Sequence, residues 1–305
     1  MDIYILHPKG RVSDVQRRQM TTVEDTNVHN IAIEGSFDDC QNIVKALFVD
    51  AEFREKQRLT AVNSINWARI MAQIVYYFYA ALKLGAPEQK VSFSVPTGNF
   101  GDIYAGYLAK RMGLPVDRLM IASNRNDILT RCLETGEYRV DGVTPSLSPS
   151  MDIQISSNFE RLLYEFYDND ADALRGLMAD LKEKGSFKLS ETAHTRLKEH
   201  FDAMSVDDAQ TLTQITQTYE KKGEILDPHS AVGVMAAEKT LKNNTPMITL
   251  ATAHPAKFGE AVQKAISIDP ELPPHMVDLF EKNERMKTLP ADAEAVKSEI
   301  IDNKQ

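Results

Sequence analysis

The chain has 305 residues, of which 43% are hydrophobic and 26% charged, and its 35 Lys and Arg against 44 Asp and Glu give a formal net charge of −9. This composition excludes a fibre or a disordered chain and disfavours a nucleic-acid partner, and the longest apolar run, residues 74–82, is too short to cross a membrane. Two cysteines and the lack of a secretory signal at Met1 predict a soluble, cytoplasmic protein.

Strands and helices alternate in the first half of the chain. The predicted strands cover residues 2–6, 28–34, 91–95 and 119–122, and the predicted helices cover residues 38–49, 65–83, 102–112 and 127–135. Alternation at this spacing predicts parallel βαβ units and therefore an α/β fold. Ser36 and Asp39, at the start of the first of these helices, resemble a capping box.

The second half begins with a different kind of sequence. Residues 158–222 are rich in charged residues and contain no convincing strand, which predicts an all-helical insert. A helix, a buried strand and a helix are then predicted over residues 228–242, 247–250 and 255–266. Residues 270–305 are predicted to be a charged tail with two short helices.

The loop Gly98-Asn99-Phe100-Gly101 lies between a predicted strand and a predicted helix. Two glycines allow backbone N–H groups to converge, and the helix start adds its positive dipole end, so the loop can bind a phosphate monoester. It matches neither the dinucleotide fingerprint nor a Walker A loop. An ordinary strand-to-helix turn explains the spacing equally well, and the charge of Asp102 opposes a bound anion unless its side chain points away.

Three further segments could hold ligands. Asn63 and Ser64 precede a predicted helix with Arg69 one turn in, which favours helix capping but also fits a second anion site. His229 and His254 stand in loops at predicted strand or helix ends, where a lone histidine is more often a structural hydrogen-bonding group. No histidine pair has metal-ligand spacing, so no metal is predicted.

Taken in order, several segments resemble the threonine synthases, which are pyridoxal-phosphate (PLP) enzymes. The resembling segments are residues 6–13 with 16–20, 34–41, 63–69, 96–102, 148–153 with 156–162, 227–233 and 252–258. The match extends to about residue 266 and includes the helical insert. It implies the α/β fold type II of the tryptophan-synthase-β kind, with three layers, a sheet rich in parallel strands and a helical insert.

The resemblance also implies an activity and its residues. The family converts O-phosphohomoserine and water to threonine and inorganic phosphate. Gly98, Asn99, Phe100 and Gly101 would hold the cofactor phosphate, and Thr252 would place a hydroxyl at the pyridine nitrogen. Asn63, Ser64 and Arg69 would hold the substrate phosphate.

One family feature is expected to lie outside this chain. The Schiff-base lysine of the family stands in a Ser-Phe-Lys-Asp-like motif upstream of the strand that resembles residues 2–6. We therefore expect an N-terminal part to be missing and no residue here to be catalytic. Lys188, in a superficially similar Gly-Ser-Phe-Lys-Leu sequence, is predicted to be a solvated helix residue of the insert.

The resemblance predicts five regions. They are the remnant of a small α/β domain (1–60), the first part of a large PLP-binding domain (61–157), the helical insert (158–224), the second part of the large domain (225–269) and a C-terminal helical tail (270–305). Two hypotheses follow. The chain is either a portion of a threonine synthase, with the missing N-terminal segment as its partner and an exposed apolar patch where that segment packs, or a non-catalytic protein that binds PLP or another phospho-ligand.

Overall fold

The computed structural model describes residues 1–240 and 245–303, and it alternates strands and helices over most of this length. The first elements are β1 (Ile3–Pro8), α1 (Asp14–Thr21), β2 (Val28–Glu34), α2 (Phe37–Val49), α3 (Ala51–Gln57), α4 (Trp67–Lys83), β3 (Val91–Pro96), α5 (Gly101–Arg111), β4 (Val116–Ser123), α6 (Ile128–Thr135) and β5 (Glu137–Arg139). The remaining elements are α7 (Phe159–Phe166), α8 (Ala171–Lys184), β6 (Ser186–Lys188), α9 (Glu191–His200), β7 (Phe201–Ser205), α10 (Asp208–Lys222), α11 (Pro228–Thr240), β8 (Met247–Thr249), α12 (Gly259–Ile266), β9 (Lys287–Pro290) and α13 (Ala293–Asp302). Short 3₁₀ turns occur at Pro149–Met151, Pro255–Phe258 and Pro274–Met276.

The strands and helices predicted in the first half are confirmed, with ends that move by up to three residues. The predicted helix over residues 228–242 is α11, and its last two predicted residues lie outside the described residues. The capping box is also confirmed, since the Ser36 hydroxyl oxygen accepts from the Asp39 N–H at 3.2 Å and the Ser36 N–H donates to the Asp39 carboxylate at 2.6 Å. In the described part of the chain, no helix is long and apolar enough to cross a membrane.

The chain divides into two compact units, and the first consists of residues 1–60 with 271–305. Its sheet has the order β1-β2-β9, and both pairings are parallel. Its core combines buried residues of β2, α2, α3 and α13, namely Ile31, Ile33, Cys40, Ile43, Leu47, Phe53, Val296 and Ile300. The expectation of only short helices in the tail is therefore wrong, because β9 adds a strand to this sheet. Three of its four residues are exposed, so it lacks the apolar pattern that marks a strand in a sequence.

The second unit is residues 61–270, and it is built on a four-stranded parallel sheet in the order β7-β4-β3-β8. Successive residues of β4 point to opposite faces of the sheet. Leu119 and Ile121 pack into a cluster with residues of α4, α5, α6 and α7, whereas Met120 and Ala122 pack against residues of α11. Helices therefore cover both faces, which gives the three layers expected from the sequence.

The prediction that residues 158–222 contain no strand is wrong. β7 pairs in parallel with β4 from Leu119↔Phe201 to Ser123↔Ser205, and it forms one edge of the main sheet. Only Phe201 of its five residues is fully buried, so the sequence lacks a buried-strand pattern. Lys188 is exposed as predicted, but it ends β6, which pairs antiparallel with β5, and is not helical.

Candidate functional site

The predicted phosphate loop lies at the carboxyl end of β3, a strand whose six residues are all buried between β4 and β8. The strand ends at Pro96, and α5 begins at Gly101. Thr97 fixes the departure of the loop, since its N–H donates to the Ala122 carbonyl at 2.8 Å and its hydroxyl to the Val95 carbonyl at 2.6 Å. In open parallel sheets this edge is where ligands bind.

Phe100 gives the loop its shape. Its φ of 65° is in the left-handed region, which is costly for a residue with a large side chain. The ring is 1% exposed and lies against Phe159 and Phe201, with ring centroids 5.2 and 5.7 Å away. Packing of the ring therefore holds the backbone in a conformation that turns the chain sharply into α5.

The two glycines of the loop face close neighbours. A Cβ on Gly98 would lie 2.9 Å from the Ser150 carbonyl oxygen and 3.1 Å from Ile153 Cδ1. A Cβ on Gly101 would lie 3.3 Å from Ser64 Cβ. Gly98 is required because backbone blocks any side chain there, whereas Gly101 brings the loop against the segment before α4.

The backbone carbonyls of the loop form hydrogen bonds, whereas its backbone N–H groups do not form any with the described residues. The Gly98 carbonyl accepts from the Ser156 hydroxyl at 2.5 Å, and the Asn99 carbonyl accepts from the N–H and the side-chain amide of Asn158, both at 3.1 Å. Among the described residues, no acceptor takes the backbone N–H groups of residues 98–101. The carbonyls are thus tied down while the donors at the helix start stay available, which is the arrangement that binds an anion.

Asp102 lies in the first turn of α5, and its side chain is held within the packing of α4 against α5. Its carboxylate accepts from the Tyr77 hydroxyl at 3.2 Å, and the same hydroxyl donates to the Asp102 carbonyl at 2.8 Å. Burial raises the pKa of Asp102 to about 6, and the Tyr77 hydrogen bond opposes part of that rise. The bond to Tyr77 directs the carboxylate towards α4, so the side chain points away from the loop, as an anion site there requires.

The segment before α4 shows both a capping pattern and one contact with the loop. Asn63 Oδ1 accepts from the Ile65 N–H at 3.0 Å, and Asn66, not Ser64, caps α4 by accepting from the Ala68 N–H at 3.0 Å. Ser64 lies beside Gly101, as described above. Arg69 is exposed and forms no ion pair with a described residue, and of the three residues it is Ser64 that contacts the loop.

Thr252 follows β8, which pairs with β3 in the register Ser94↔Thr249. Because the two strands are parallel, Thr252 and the phosphate loop leave the sheet at the same edge. Neighbouring strands are about 5 Å apart, so the two segments start close together. Thr252 is exposed, and its N–H donates to the Ser230 hydroxyl oxygen at 3.3 Å.

Both histidines of this edge form structural hydrogen bonds, as predicted. His254 is exposed and caps the next 3₁₀ turn by accepting from the Ala256 N–H at 3.2 Å. His229 is 3% exposed and bonds to Asp227 and to the Ser150 N–H. The sequence does not indicate that His229 reaches the 3₁₀ turn against which Gly98 packs. Its only sequence signal is the Asp-Pro-His-Ser start of α11.

A cavity of about 600 Å³ lies elsewhere in this unit, along α5 and α7. It is lined by Tyr104, Arg111, Glu160, Arg161, Tyr164, Glu165, Asn169 and Leu174, and it includes none of the sequence-predicted site residues. Glu165 already accepts from the Tyr104 hydroxyl and from Arg111, so its charge is paired. Within the described ranges, no three His, Cys, Asp or Glu converge as a metal site.

Comparison with known proteins finds similar proteins that are threonine synthases. A family model described as "Threonine synthase, C-terminal" matches residues 230–300. The threonine synthase of Pseudomonas aeruginosa is 55% identical over 300 residues, which are 98% of this chain and 64% of that protein. The chain thus spans less than two thirds of the length of this relative.

Two solved structures are similar over nearly the whole chain. A PLP-bound threonine synthase from Brucella melitensis has a TM-score of 0.94 at 53% identity, over 99% of this chain and 65% of that one. The threonine synthase of yeast has a TM-score of 0.88 at 42% identity, over 99% and 64% of the two chains. The fold is therefore the PLP-dependent fold type II that the motifs predicted.

Proposed function

Because this chain is homologous to threonine synthases over 98% of its length, we propose that it is a portion of a PLP-dependent threonine synthase, acting in threonine biosynthesis on O-phosphohomoserine and water to yield L-threonine and inorganic phosphate. The observation that carries this proposal is the loop at residues 98–101, where four backbone N–H groups have no acceptor among the described residues at the start of a helix. In this proposal residues 61–157 and 225–269 form the cofactor-binding domain around the insert at 158–224. Residues 1–60 and 271–305 together form a small domain, since β9 and α13 belong to its sheet and core.

The residues of the chain fit PLP at both ends of the cofactor. Gly98, Asn99, Phe100 and Gly101 would donate their N–H groups to the phosphate, whose charge the start of α5 favours. Thr252, exposed at the same sheet edge, would place a hydroxyl at the pyridine nitrogen. PLP supplies an electron sink for carbanions at the substrate. A hydroxyl, unlike a carboxylate, leaves the pyridine nitrogen without a proton and so limits transamination.

The substrate phosphate would be held by Asn63, Ser64 and Arg69. The contact of Ser64 with Gly101 supports this, because it sets the segment before α4 beside the phosphate loop. Arg69 is exposed on the first turn of α4 and is available for a phosphate oxygen. No residue of this chain is proposed as the Schiff-base lysine of the family, and Lys188, exposed at the end of β6, is not proposed for that role.

The unmatched part of the relatives is also the proposed protein partner. Five apolar side chains form an exposed stripe along α4, with the spacing of one helix face: Trp67, Met71, Val75, Tyr79 and Leu82. Each is at least 45% exposed. An apolar stripe of this length on one helix face is typical of an interaction surface. A cytoplasmic location completes the proposal, supported by Cys40 and Cys132, which are buried free thiols.

The test measures the affinity of the full chain for PLP by fluorescence titration, for wild type and for Gly98→Ala. Since the new Cβ would meet the Ser150 carbonyl, we expect at least tenfold weaker binding of PLP and of inorganic phosphate. Gly176→Ala is the matched control, because a Cβ there meets nothing within 4 Å. Wild type that fails to bind PLP, or equal binding by Gly98→Ala, would contradict the proposal. If the chain binds PLP but releases no phosphate from O-phosphohomoserine, even when it is mixed with the unmatched part of a relative, the non-catalytic hypothesis is favoured.

A further inference from the structure

A buried polar network at the start of α11 joins the two ends of the proposed cofactor site. Asp227, His229 and Ser230 are 1%, 3% and 2% exposed. The Asp227 carboxylate accepts from the His229 N–H and His229 Nδ1, both at 2.9 Å, from the Ser230 N–H at 3.3 Å and from the Ser230 hydroxyl. Four donors therefore converge on one carboxylate at a helix N-terminus, where negative charge is favoured.

The carboxylate sets the direction of two outward hydrogen bonds. Because the Ser230 hydroxyl proton is donated to Asp227, the oxygen of Ser230 can accept from the Thr252 N–H. Because the Nδ1 proton of His229 is donated to Asp227, Nε2 is left as an acceptor for the Ser150 N–H, at 3.2 Å. The network thus requires a neutral His229 with its proton on Nδ1.

The two outward bonds end at different parts of the site. The Ser150 carbonyl lies 2.9 Å from the position of a Cβ on Gly98, so the His229 bond positions the turn on which the phosphate loop packs. The Ser230 bond positions Thr252, three residues beyond β8. The His229 ring also packs on Phe258, with ring centroids 4.5 Å apart, and Phe258 ends the 3₁₀ turn that follows Thr252.

We infer that Asp227, His229 and Ser230 are positioning residues that set the separation between the phosphate loop and the Thr252 hydroxyl. This inference rests on the proposed function, since only a ligand held at both ends needs that separation. A rigid ligand such as PLP binds well only if both partners stand at the correct distance, and buried networks with every member satisfied are rigid.

The inference predicts that substitutions in the network change the affinities of the full chain for PLP and for inorganic phosphate by different amounts. Ser230→Ala removes the hydroxyl bonds to Thr252 and Asp227 but keeps both His229 bonds to Asp227. PLP binding should therefore weaken about tenfold, while inorganic phosphate, which needs only the loop, stays within twofold of wild type. His229→Phe keeps a ring beside Phe258 but offers no acceptor to Ser150, so it should weaken binding of both ligands. Asp227→Asn should do the same, because it disturbs both outward bonds.

Ser92→Ala is the matched control for Ser230→Ala. Ser92 is also buried, and its hydroxyl oxygen also accepts a backbone N–H, that of Arg118 at 3.3 Å, near the start of β3 and away from the site. Its loss should leave the ratio of the two affinities unchanged. If Ser230→Ala changes PLP and phosphate binding equally, or neither, the inference is wrong while the proposed function stands. If wild type binds neither ligand, both fail.

A second measurement needs no variant. The ¹⁵N NMR shifts of His229 in the wild-type chain should show a protonated Nδ1 and an unprotonated Nε2 near neutral pH. A proton on Nε2 would leave Ser150 without an acceptor and would overturn the inference, even if His229→Phe fails to fold.

Discussion

The loop at residues 97–101 and the segment at residues 61–66 lie side by side, yet they are held in opposite ways. The loop is fixed by tertiary contacts: Phe100 is buried between two rings, Gly98 touches backbone of a distant turn, and the carbonyls are bonded by Ser156 and Asn158. The side chains of Asn63 and Asn66 bond to backbone within five positions of themselves, much of the segment is exposed, and its one distant side-chain hydrogen bond among the described residues is from Arg161 to the Ile65 carbonyl, at 3.0 Å.

This difference indicates which half of the proposed site is preorganised. A loop fixed by distant contacts offers its N–H groups in one geometry and loses little conformational freedom on binding. The segment has fewer distant contacts and is more exposed, and the helix that follows it, α4, carries the exposed apolar stripe. We therefore expect the cofactor end to be sensitive to core substitutions and the substrate end to be insensitive to them.

The largest effect should follow from Phe100→Ala. Removing a buried ring should lower the free energy of unfolding by about 3–5 kcal/mol and release the left-handed backbone, which abolishes phosphate binding. Urea denaturation and phosphate titration measure the two effects. Phe37→Ala is the control, because Phe37 is 62% exposed and its loss should cost little. A small loss of stability in Phe100→Ala would mean that packing does not hold the loop.

A smaller effect, with a defined pH dependence, should follow from Asp102→Asn. The pKa of Asp102 is about 6 in the folded chain against 3.8 for an unperturbed aspartate, so between these values the native state binds a proton that the unfolded state has lost. The resulting stability is present below pH 3.8 and is lost as the pH rises through 6, about 3 kcal/mol in all. The variant should therefore be more stable than wild type at pH 8, by up to that amount, and the difference should shrink towards pH 4.

Urea denaturation of both chains at pH 4, 6 and 8 measures this dependence. An Asp102→Asn variant whose stability differs from wild type by the same amount at each pH would show that the carboxyl is not desolvated. Tyr77→Phe offers a second comparison, because removing the hydroxyl that bonds the carboxylate should raise the Asp102 pKa further.

The smallest effect should follow from Arg69→Ala. Arg69 is exposed and pairs with no described acid, so the free energy of unfolding should change by at most about 0.5 kcal/mol. Inorganic phosphate should bind the loop with an affinity within twofold of wild type. A loss of more than about 1 kcal/mol, measured by urea denaturation, would show that Arg69 packs as part of the structure and is not held free for a ligand.

Much of the fold could be predicted because its signals are local. The alternation of apolar strands with amphipathic helices predicted the parallel sheet, and the Gly98–Gly101 spacing predicted a turn that can bind phosphate. The strands β7 and β9 were not predicted, and both for the same reason. β7 and β9 are mostly not fully buried, so their residues carry no apolar run, and they become strands only because β4 and β2 offer open edges.

The candidate site divides along the same line. Sequence by itself predicted a loop that can offer donors, because glycines that let N–H groups converge and a helix start behind them depend on residue type within a few positions. The hydroxyl of Thr252 was assigned by the family resemblance. Only the tertiary structure decided that Gly98 packs against Ser150, that Tyr77 bonds to Asp102, that His229 reaches Ser150 and that Ser230 reaches Thr252. The last two contacts join residues 79 and 22 positions apart, and no local pattern encodes which distant groups a fold brings within hydrogen-bonding distance.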